Sequence, residues 1–397
     1  MAAPLEGIRV VEVANWLAAP AAAALMADLG ADVIKVEPPG RGDAARALGP
    51  FPHDRPDPAA SGAFLYANTS KRGLTLDLDQ PQGRDLLLRL VSTYDVVIAG
   101  GTEPDLAARG LGDAALRAAN PAVILTTVNG FGSHGPYAGY RWSHIVGCAM
   151  GGWSNNCGLA DREPLQAGAS IADLITGAHA AVATLIAVAG RRGHGRGDHV
   201  DVSGWESMIT TALLPSLVYE YAGAIQERHS DFQTGPSFIL PCQDGYIGLN
   251  VLTQPQWQTQ CLFLGRPDMA EDPRFPTYPD RALHADEIRA TLAAAVQDRT
   301  AADVFHDAQA WRLPAGLIPA LSDLPNLPPN RERGFFASVD QPGVGLIQMP
   351  GIPMRFGAND PLVRPAPLLG QHTREILTTV LDLAPSAVDA LARAGIV

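Results

Sequence analysis

Short apolar runs alternate with segments of helical periodicity along the first half of the chain. The runs are rich in Val, Ile and Leu, which is typical of strands that are buried on both faces. The pattern predicts strands over residues 8–13, 32–37, 73–78, 95–100, 121–128 and 198–203.

Helical segments separate these runs. Residues 19–30 end on Gly30, a common helix stop, and residues 80–94 have one apolar face. A long, almost wholly apolar helix is predicted over residues 170–190. Strands that alternate with helices in this way predict an α/β fold with a mostly parallel sheet.

The pattern changes after about residue 225. Residues 237–251 predict two strands joined at Asp244 and Gly245, and helical stretches follow near 255–264, 282–297 and 301–311. Residues 325–366 are rich in Pro and Gly and predict loops, whereas the tail from His372 is again helical. We therefore expect a large domain over 1–220, a smaller α+β domain over 221–325, and a segment 326–397 that returns to the large domain.

Charge and length exclude some partners. The chain has 397 residues and a formal net charge of −12, without a run of Lys or Arg. This charge argues against nucleic acid or an anionic membrane as a partner. The apolar stretch near 174–190 contains His179 and two glycines, and its sequence favours a buried helix over a membrane span.

The cysteines and histidines do not predict a metal site. The four cysteines are widely spaced, without a CxxC pair, which favours free thiols in a reducing cytoplasm. The closest histidine pairs, His134 with His144 and His194 with His199, lack carboxylates at metal-ligand spacing. The N-terminus does not have the pattern of a secretory signal, so we expect a cytoplasmic protein.

The stretch GFGSHG at 130–135 has the spacing of a dinucleotide-binding loop and follows a predicted strand. Such a loop must open a helix, but Pro136 prolongs the loop instead, and the expected acidic residue further on is absent before Asp161. We interpret the stretch as a glycine-rich loop that lines a pocket at the carboxyl end of a strand.

Asp173 is the single charged residue between Glu163 and Arg191. Ser170 stands three residues before it, and this spacing alone favours a capping box at the start of the long helix. The alternative is a carboxylate that the helix dipole keeps ionised in apolar surroundings, as a nucleophile or a base.

Several stretches together resemble class III CoA-transferases of the CaiB/BaiF type. The resemblance begins with LEGIRVVEVANWLAAPAAAALMADLGADVIKVEPPGRGD and continues with SKRGLTLDLDQPQGRDLLLRL and VNGFGSHGPYAGYR. It extends through GASIADLITGAHAA and GRRGHGRGDHVDVS to RPAPLLGQHTREIL, in the family's order. Formyl-CoA transferases and α-methylacyl-CoA racemases are members of this family.

The resemblance implies a fold and a chemistry. Members are interlocked, ring-like homodimers, each chain having a Rossmann-like large domain and a small domain. In the transferases the aspartate that aligns with Asp173 attacks an acyl-CoA thioester, forming first an aspartyl anhydride and then an aspartyl-CoA thioester. A carboxylic acid acceptor takes up the CoA, which is a substrate rather than a permanently bound cofactor.

The resemblance also implies the residues that contact CoA. Trp16, Leu17 and Ala18 occupy the first loop, where formyl-CoA transferases have Gln at the position of Leu17, and this departure argues against formyl-CoA and oxalate as substrates. Leu17 and the tryptophans Trp16, Trp142 and Trp153 favour an apolar or aromatic acid instead. The family's glycine-rich flap is represented by residues 233–237. The other expected contacts are Lys71, Arg72, Leu76, Gly100, Gly101, Arg141 and His144, with Arg41 as a further candidate cation.

Two alternatives stay open at this stage. A racemase of this family pairs an aspartate with a histidine as acid and base, and His144 lies one residue after the aligned position. A degenerate subunit of a heteromeric transferase is the second alternative, because Pro38 and Gly100-Gly101 replace residues common in the family.

Overall fold

The computed structural model describes residues 3–158, 161–223, 225, 228, 238–357 and 363–397, without the side chains of 212–216. The chain forms two compact units. Unit 1 comprises 1–155, 166–225 and 331–397, and unit 2 comprises 156–165 and 226–330. The domain limits predicted from the sequence, 1–220, 221–325 and 326–397, stay a prediction. The predicted flap at 233–237 lies outside the described residues.

The main sheet of unit 1 has six parallel strands in the order β3-β2-β1-β4-β5-β6. This is the strand order of a Rossmann fold. Strands β2 and β3 lie on one side of β1, and β4 to β6 lie on its other side, so the order reverses between β1 and β4. The prediction of an α/β fold with a parallel sheet is confirmed. The strands are β1 (Arg9–Val13), β2 (Asp32–Glu37), β3 (Arg72–Thr75), β4 (Val96–Gly100), β5 (Ile124–Asn129) and β6 (His199–Ser203).

Helices cover the sheet and fill the connections between its strands. They are α1 (Ala18–Asp28), α2 (Gly62–Ala67), α3 (Pro81–Val91), α4 (Glu103–Ala108), α5 (Asp113–Ala119), α6 (His144–Met150), α7 (Ile171–His194), α8 (Gly204–Ile209) and α9 (Leu213–Ala222). By length and composition α7 is the one described helix that could cross a membrane, a property that it shares with core helices of other proteins. Its buried residues include Ala172, Thr176 and Ala180.

Unit 2 contains a three-stranded sheet. The expected hairpin is present as β7 (Phe238–Cys242) and β8 (Gly245–Leu249), which pair antiparallel across Gln243 and Asp244. A third strand, β9 (Ala315–Leu317), pairs with β8. The helices that pack near this sheet or follow it are α10 (Gln254–Phe263), α11 (Pro267–Ala270), α12 (Tyr278–Leu283), α13 (Ala285–Val296), α14 (Ala301–Ala310) and α15 (Pro328–Glu332), whose last residues belong to unit 1.

The C-terminal part differs from the prediction of loops over 325–366. β10 (Phe336–Gln341) and β11 (Gly345–Pro350) form an antiparallel hairpin. Pro342 and Gly343, which predicted a loop, form its turn, where Gly343 has a φ of 80°. Two helices, α16 (Thr373–Thr379) and α17 (Pro385–Arg393), complete the chain.

Close packing of α7 on α1 brings the starts of these two helices together. A Cβ on Gly177 would lie 2.6 Å from the carbonyl oxygen of Ala18, so only glycine allows this approach. Asp173 lies one turn before Gly177, and the Trp16-Leu17 segment directly precedes Ala18. The crossing therefore places the loop after β1 beside the first turn of α7.

A network of buried, charged side chains stabilises the same loop. Lys35 Nζ lies 2.7 Å from Glu12 Oε1 and 2.7 Å from Asp43 Oδ2, and Lys71 Nζ lies 2.5 Å from Glu12 Oε2. All four side chains are buried, and burial lowers the pKa of Lys71 to about 8 against the opposing effect of Glu12. Asp43 Oδ1 also accepts the backbone N–H of Trp16 at 2.9 Å, so the network holds that loop in place.

We predict that Glu12→Gln lowers the free energy of unfolding by about 3–5 kcal/mol near pH 6, because two buried lysines then face a single carboxylate. The loss should be smaller at pH 9, where Lys71 is already losing its proton in the native protein. Urea denaturation at both pH values measures these changes.

Arg117→Ala serves as the control, since Arg117 pairs with Asp113 in a partly exposed pair on α5. Its expected cost is below about 0.5 kcal/mol. A loss for Glu12→Gln as small as that of the control would contradict a structural role for the network.

Candidate active site

Asp173 lies in the first turn of α7 and is about 1% exposed. Trp142 Nε1 donates a hydrogen bond to its Oδ1 at 3.4 Å, whereas Oδ2 accepts no hydrogen bond from the described residues. The two carboxylate oxygens are therefore in different environments. One is held by an indole, and the other keeps its lone pairs free.

Burial raises the pKa of Asp173, because the charged form loses its hydration. Three groups act in the opposite direction, in the order Trp142, His144 and Trp16. The Trp16 indole has no formed hydrogen bond to Asp173 in the described structure, but it favours the charged form. Proximity to the helix start adds the positive end of the α7 dipole.

The predicted capping box is wrong. Ser170 is at the N-cap position of α7, but it has a φ of 53° and its side chain makes no capping hydrogen bond. Ala169, directly before it, has a φ of 57°. Two successive non-glycine residues in the left-handed region are strained, and such strain is concentrated at functional sites. The Asp173 carboxylate is thus not part of a helix cap.

His144 bridges the two ends of this strained turn. Its Nε2 lies 2.7 Å from the carbonyl oxygen of Ala167, and its Nδ1 accepts the backbone N–H of Ala172 at 3.3 Å. In this arrangement Nε2 donates to the Ala167 carbonyl oxygen while Nδ1 accepts from Ala172. With both nitrogens bound to the backbone, His144 has no free lone pair with which to act as a base.

Trp142 is fixed in a slot whose walls include three glycines. A Cβ on Gly130 would lie 2.6 Å from Trp142 Cβ, and Cβ atoms on Gly147 and Gly204 would lie 2.7 Å from its ring. The ring also contacts Phe131 edge-on, with centroids 5.7 Å apart. Because backbone surrounds it on several sides, the indole holds its N–H in a defined position towards Asp173.

The glycine-rich stretch 130–135 is a loop, and the next helix, α6, begins only at His144. Asp201 on β6 anchors it by accepting the Ser133 N–H at 2.6 Å and the Ser133 hydroxyl at 2.8 Å. Although partial burial acts against it, these hydrogen bonds hold the pKa of Asp201 below its usual range. The loop's role here is to carry Phe131 and to form one wall of the Trp142 slot.

A cleft of about 300 Å³ opens at the carboxyl ends of β1 to β4, beside the reversal point of the sheet. Ligands of open α/β folds bind at this position. Gly100, Gly101 and Leu76 line the cleft, together with Arg41 and Arg109, and the predicted contact of the first three with CoA stays a prediction. Of the two arginines, Arg109 also contacts Asp79 at 3.1 Å, in an exposed pair.

Lys71 and Arg72 do not line this cleft, and their assignment as CoA contacts stays a prediction. Lys71 Nζ is enclosed by Glu12, Asn68 and backbone carbonyls of unit 1, without exposed surface. Arg72 begins β3 and pairs with Asp32, the first residue of β2, at the amino edge of the sheet. The cleft is at the opposite edge of the sheet, and the cationic side chains that line it are Arg41 and Arg109.

The remaining expected residues lie in the loop before α1 and at the start of α1, or directly before and at the start of α6. Trp16 has a φ of 75° and is 42% exposed, whereas Leu17, at the N-cap of α1, is buried. Ala18 begins α1, and Arg141 is exposed directly before Trp142. The described residues contain no cluster of three or more His, Cys, Asp or Glu side chains able to hold a metal ion.

Sequence reasoning named Trp142 only as a possible apolar wall and did not find its hydrogen bond to Asp173. The three glycines of its slot belong to a loop and two helices, and the sequence does not show that these elements meet around Trp142. Arg109 was missed as well, because its place in the cleft depends on how α4 follows β4.

Comparison with known proteins gives one consistent result. The family model described as CoA-transferase family III matches residues 5–373. Succinyl-CoA–D-citramalate CoA-transferase of Chloroflexus aurantiacus is 36% identical, over 96% of this chain and 94% of that protein. Succinate–glutarate CoA-transferase of Agrobacterium fabrum is 32% identical, over 97% of each chain. The crystal structure of a CAIB/BAIF family protein from Brucella suis superposes with a TM-score of 0.82 at 30% identity, covering 95% of this chain and 99% of that one.

Proposed function

The chain belongs to CoA-transferase family III and is a class III CoA-transferase, and we propose that Asp173 is its nucleophile. On this proposal, CoA passes from an acyl-CoA thioester to an acceptor carboxylate through an anhydride and a thioester on Asp173. The enzyme needs no permanently bound cofactor for these steps, since CoA enters and leaves with the substrates.

The free, buried Oδ2 of Asp173 is the observation that carries the proposal. A carboxylate oxygen without a hydrogen bond and without hydration is more nucleophilic than one in water. Exclusion of water also protects an anhydride from hydrolysis, which would waste the bond energy of the thioester. The acyl group reaches Oδ2 only if a neighbouring side chain moves, and Trp16, half exposed beside this site, has room to do so.

The proposed steps balance without an added proton. Oδ2 adds to the thioester carbonyl carbon, and the C–S bond breaks as CoA leaves as a thiolate. The thiolate then attacks Cγ of Asp173, and the donor acid leaves as a carboxylate that carries Oδ2. The acceptor carboxylate attacks the resulting aspartyl-CoA, and the same steps in reverse deliver CoA to it and restore a carboxylate on Asp173.

We place the nucleotide end of CoA in the cleft beside Gly100 and Gly101. Arg41 and Arg109 supply the positive charges that its phosphate groups require. Pro38 also lines the cleft. On this proposal, CoA binding depends on the Arg41 and Arg109 side chains and on the backbone of Gly100 and Gly101, which no side chain covers.

We further propose succinyl-CoA as the donor and a dicarboxylic acid as the acceptor. The names of the two transferases given above contain succinyl-CoA and succinate, respectively. Exposed Arg141, next to Trp142, offers a charge for the second carboxylate, which an apolar or aromatic acid would not use. Initial rates with succinyl-CoA and benzoyl-CoA test this proposal, and a faster reaction with benzoyl-CoA would contradict it.

Neither alternative receives support from the site. A racemase needs a second acid–base group, and both nitrogens of His144 are bound to the backbone. A degenerate subunit would not need to keep a buried Asp173 whose Oδ2 has no hydrogen bond, because burying such an atom lowers the stability of the fold.

A homodimer located in the cytoplasm is also part of the proposal. Val182 and Ile186 on α7 are 58% and 67% exposed, and a second subunit would cover such apolar side chains. None of the four cysteines, all within the described part of the chain, forms a disulfide, as is usual in a reducing compartment. Light scattering tests the dimer, since a mass near the 41.8 kDa of one chain would contradict it.

We predict that Asp173→Asn reduces CoA transfer from succinyl-CoA to background, because an amide cannot form the anhydride. The free energy of unfolding should not decrease, because the amide keeps the shape of the side chain and removes a buried charge that is only partly stabilised. Steady-state kinetics and urea denaturation measure the two quantities. Asp113→Asn, on the surface of α5, is the matched control. Turnover of Asp173→Asn at the control's rate would show that Asp173 is not the nucleophile.

Arg41→Ala should raise KM for the CoA ester by about tenfold and leave kcat nearly unchanged, because phosphate binding is equal in the ground and transition states. The effect should diminish as salt is added. Arg117→Ala removes an arginine outside the cleft and should leave KM unaltered. An unchanged KM for Arg41→Ala would place the phosphates elsewhere.

A further inference from the structure

We propose that Trp142 is a catalytic residue whose N–H stabilises the oxyanion that develops on Asp173 Oδ1 when Cγ is attacked. The inference rests on the proposed function, because it concerns the steps at Asp173. It assigns the stabilisation of negative charge to Trp142, whereas the proposed function assigns nucleophilic attack to Asp173.

The geometry distinguishes the two oxygens of Asp173. Trp142 Nε1 is 3.4 Å from Oδ1, and Oδ2 is free. When Oδ2 becomes the bridging oxygen of the anhydride, Oδ1 becomes the carbonyl oxygen bonded to Cγ. The indole N–H then points at the oxygen whose charge will increase in the next step.

The charge on Oδ1 changes through the reaction in a defined way. In the free carboxylate the negative charge is shared by both oxygens, and in the anhydride Oδ1 is neutral. When the CoA thiolate attacks Cγ, a C–S bond forms and the carbonyl π pair moves onto Oδ1. That pair re-forms the carbonyl as the Cγ–Oδ2 bond breaks and the donor acid leaves. The N–H therefore bonds more strongly in the transition state than in the anhydride, which is the condition for lowering the barrier.

The same argument applies to the acceptor half-reaction. The acceptor carboxylate attacks Cγ of the aspartyl-CoA thioester, and Oδ1 again becomes an oxyanion before the thiolate leaves. By contrast, the first attack by Oδ2 places the new charge on the substrate carbonyl oxygen. Trp142 should therefore affect the steps at Cγ and have little effect on the first acylation.

The slot of Trp142 makes it suitable for this role. The ring packs closely against three glycines, Gly130, Gly147 and Gly204, so the donor is held in place before the charge develops. A distance of 3.4 Å is long, and catalytic hydrogen bonds in unliganded enzymes commonly shorten when charge appears. Asp173 is also buried, so the N–H acts on Oδ1 with less screening than in water.

Trp142→Phe tests the proposal by removing the N–H while an aromatic ring is kept. The control is Trp205→Phe, because Trp205 also contacts Phe131 but donates its N–H to the Met150 carbonyl oxygen at 2.9 Å. Each full-length variant is mixed with succinyl-CoA, quenched with acid after set times, and analysed by mass. The adduct mass distinguishes a succinyl group from CoA on the Asp173 peptide.

The native enzyme and Trp205→Phe should form the CoA adduct rapidly. In Trp142→Phe the succinyl adduct should appear at a rate close to native and accumulate, and the CoA adduct should form about 100-fold more slowly. The acid limb of kcat/KM should also move to higher pH in Trp142→Phe. Burial raises the pKa of Asp173, and the variant loses the Trp142 hydrogen bond that opposes this rise. A purely structural role would produce neither the accumulation nor the shift of the limb.

The outcomes separate the two proposals. Formation of the CoA adduct at the native rate in Trp142→Phe, or equal slowing of both adducts, would overturn the role of Trp142 alone. Turnover by the native enzyme without any adduct on Asp173 would overturn the proposed function. If Trp142→Phe does not fold, 3-benzothienylalanine at position 142 replaces the N–H by sulfur in a ring of the same shape, and the same accumulation is expected.

Discussion

Burying an ionised carboxylate costs several kcal/mol unless nearby groups stabilise it, and the surroundings of Asp173 meet this requirement only in part. The start of α7 and the Trp142 N–H stabilise the charge, while Oδ2 is left without a partner. This division makes chemical sense for a nucleophile. One oxygen is held so that the carboxylate has a fixed orientation, and the other is free to form a bond. His144 contributes indirectly, because it closes the strained turn from which Asp173 projects.

The opposite side of the site depends on packing and on buried charge. Gly177 allows α7 to approach α1 closely, and this approach brings the loop of Trp16 beside the first turn of α7. The network of Glu12, Lys35, Lys71 and Asp43 then fixes that loop through the backbone N–H of Trp16. Lysines that could have bound phosphate are used inside the fold, and the cleft draws its positive charge from surface arginines instead.

Strand periodicity was sufficient to predict the parallel sheet, because each strand is buried on both faces and carries its own apolar signal. Asp173 stands out in the sequence for another reason, as an isolated acid in an apolar segment, and its role stays a prediction. The hairpin at 336–350 could not, since Pro342 and Gly343 are equally typical of a loop and of a tight turn. The contacts of Lys71 with Glu12 and of Trp142 with Asp173 could not be predicted, because they depend on how separate elements pack together. Glu12 and Lys71 are 59 residues apart, and the glycines around Trp142 belong to elements that meet only in the folded protein.

Covalent trapping on Asp173 is the most direct test of the central claim. The native enzyme would be mixed with succinyl-CoA, quenched with borohydride or hydroxylamine, digested, and mapped by mass spectrometry. The account predicts a modification on the peptide that contains Asp173, at the side chain of that residue, and none in Asp173→Asn. Transfer of CoA by an enzyme whose Asp173 stays unmodified, or an adduct that maps to another residue, would contradict it.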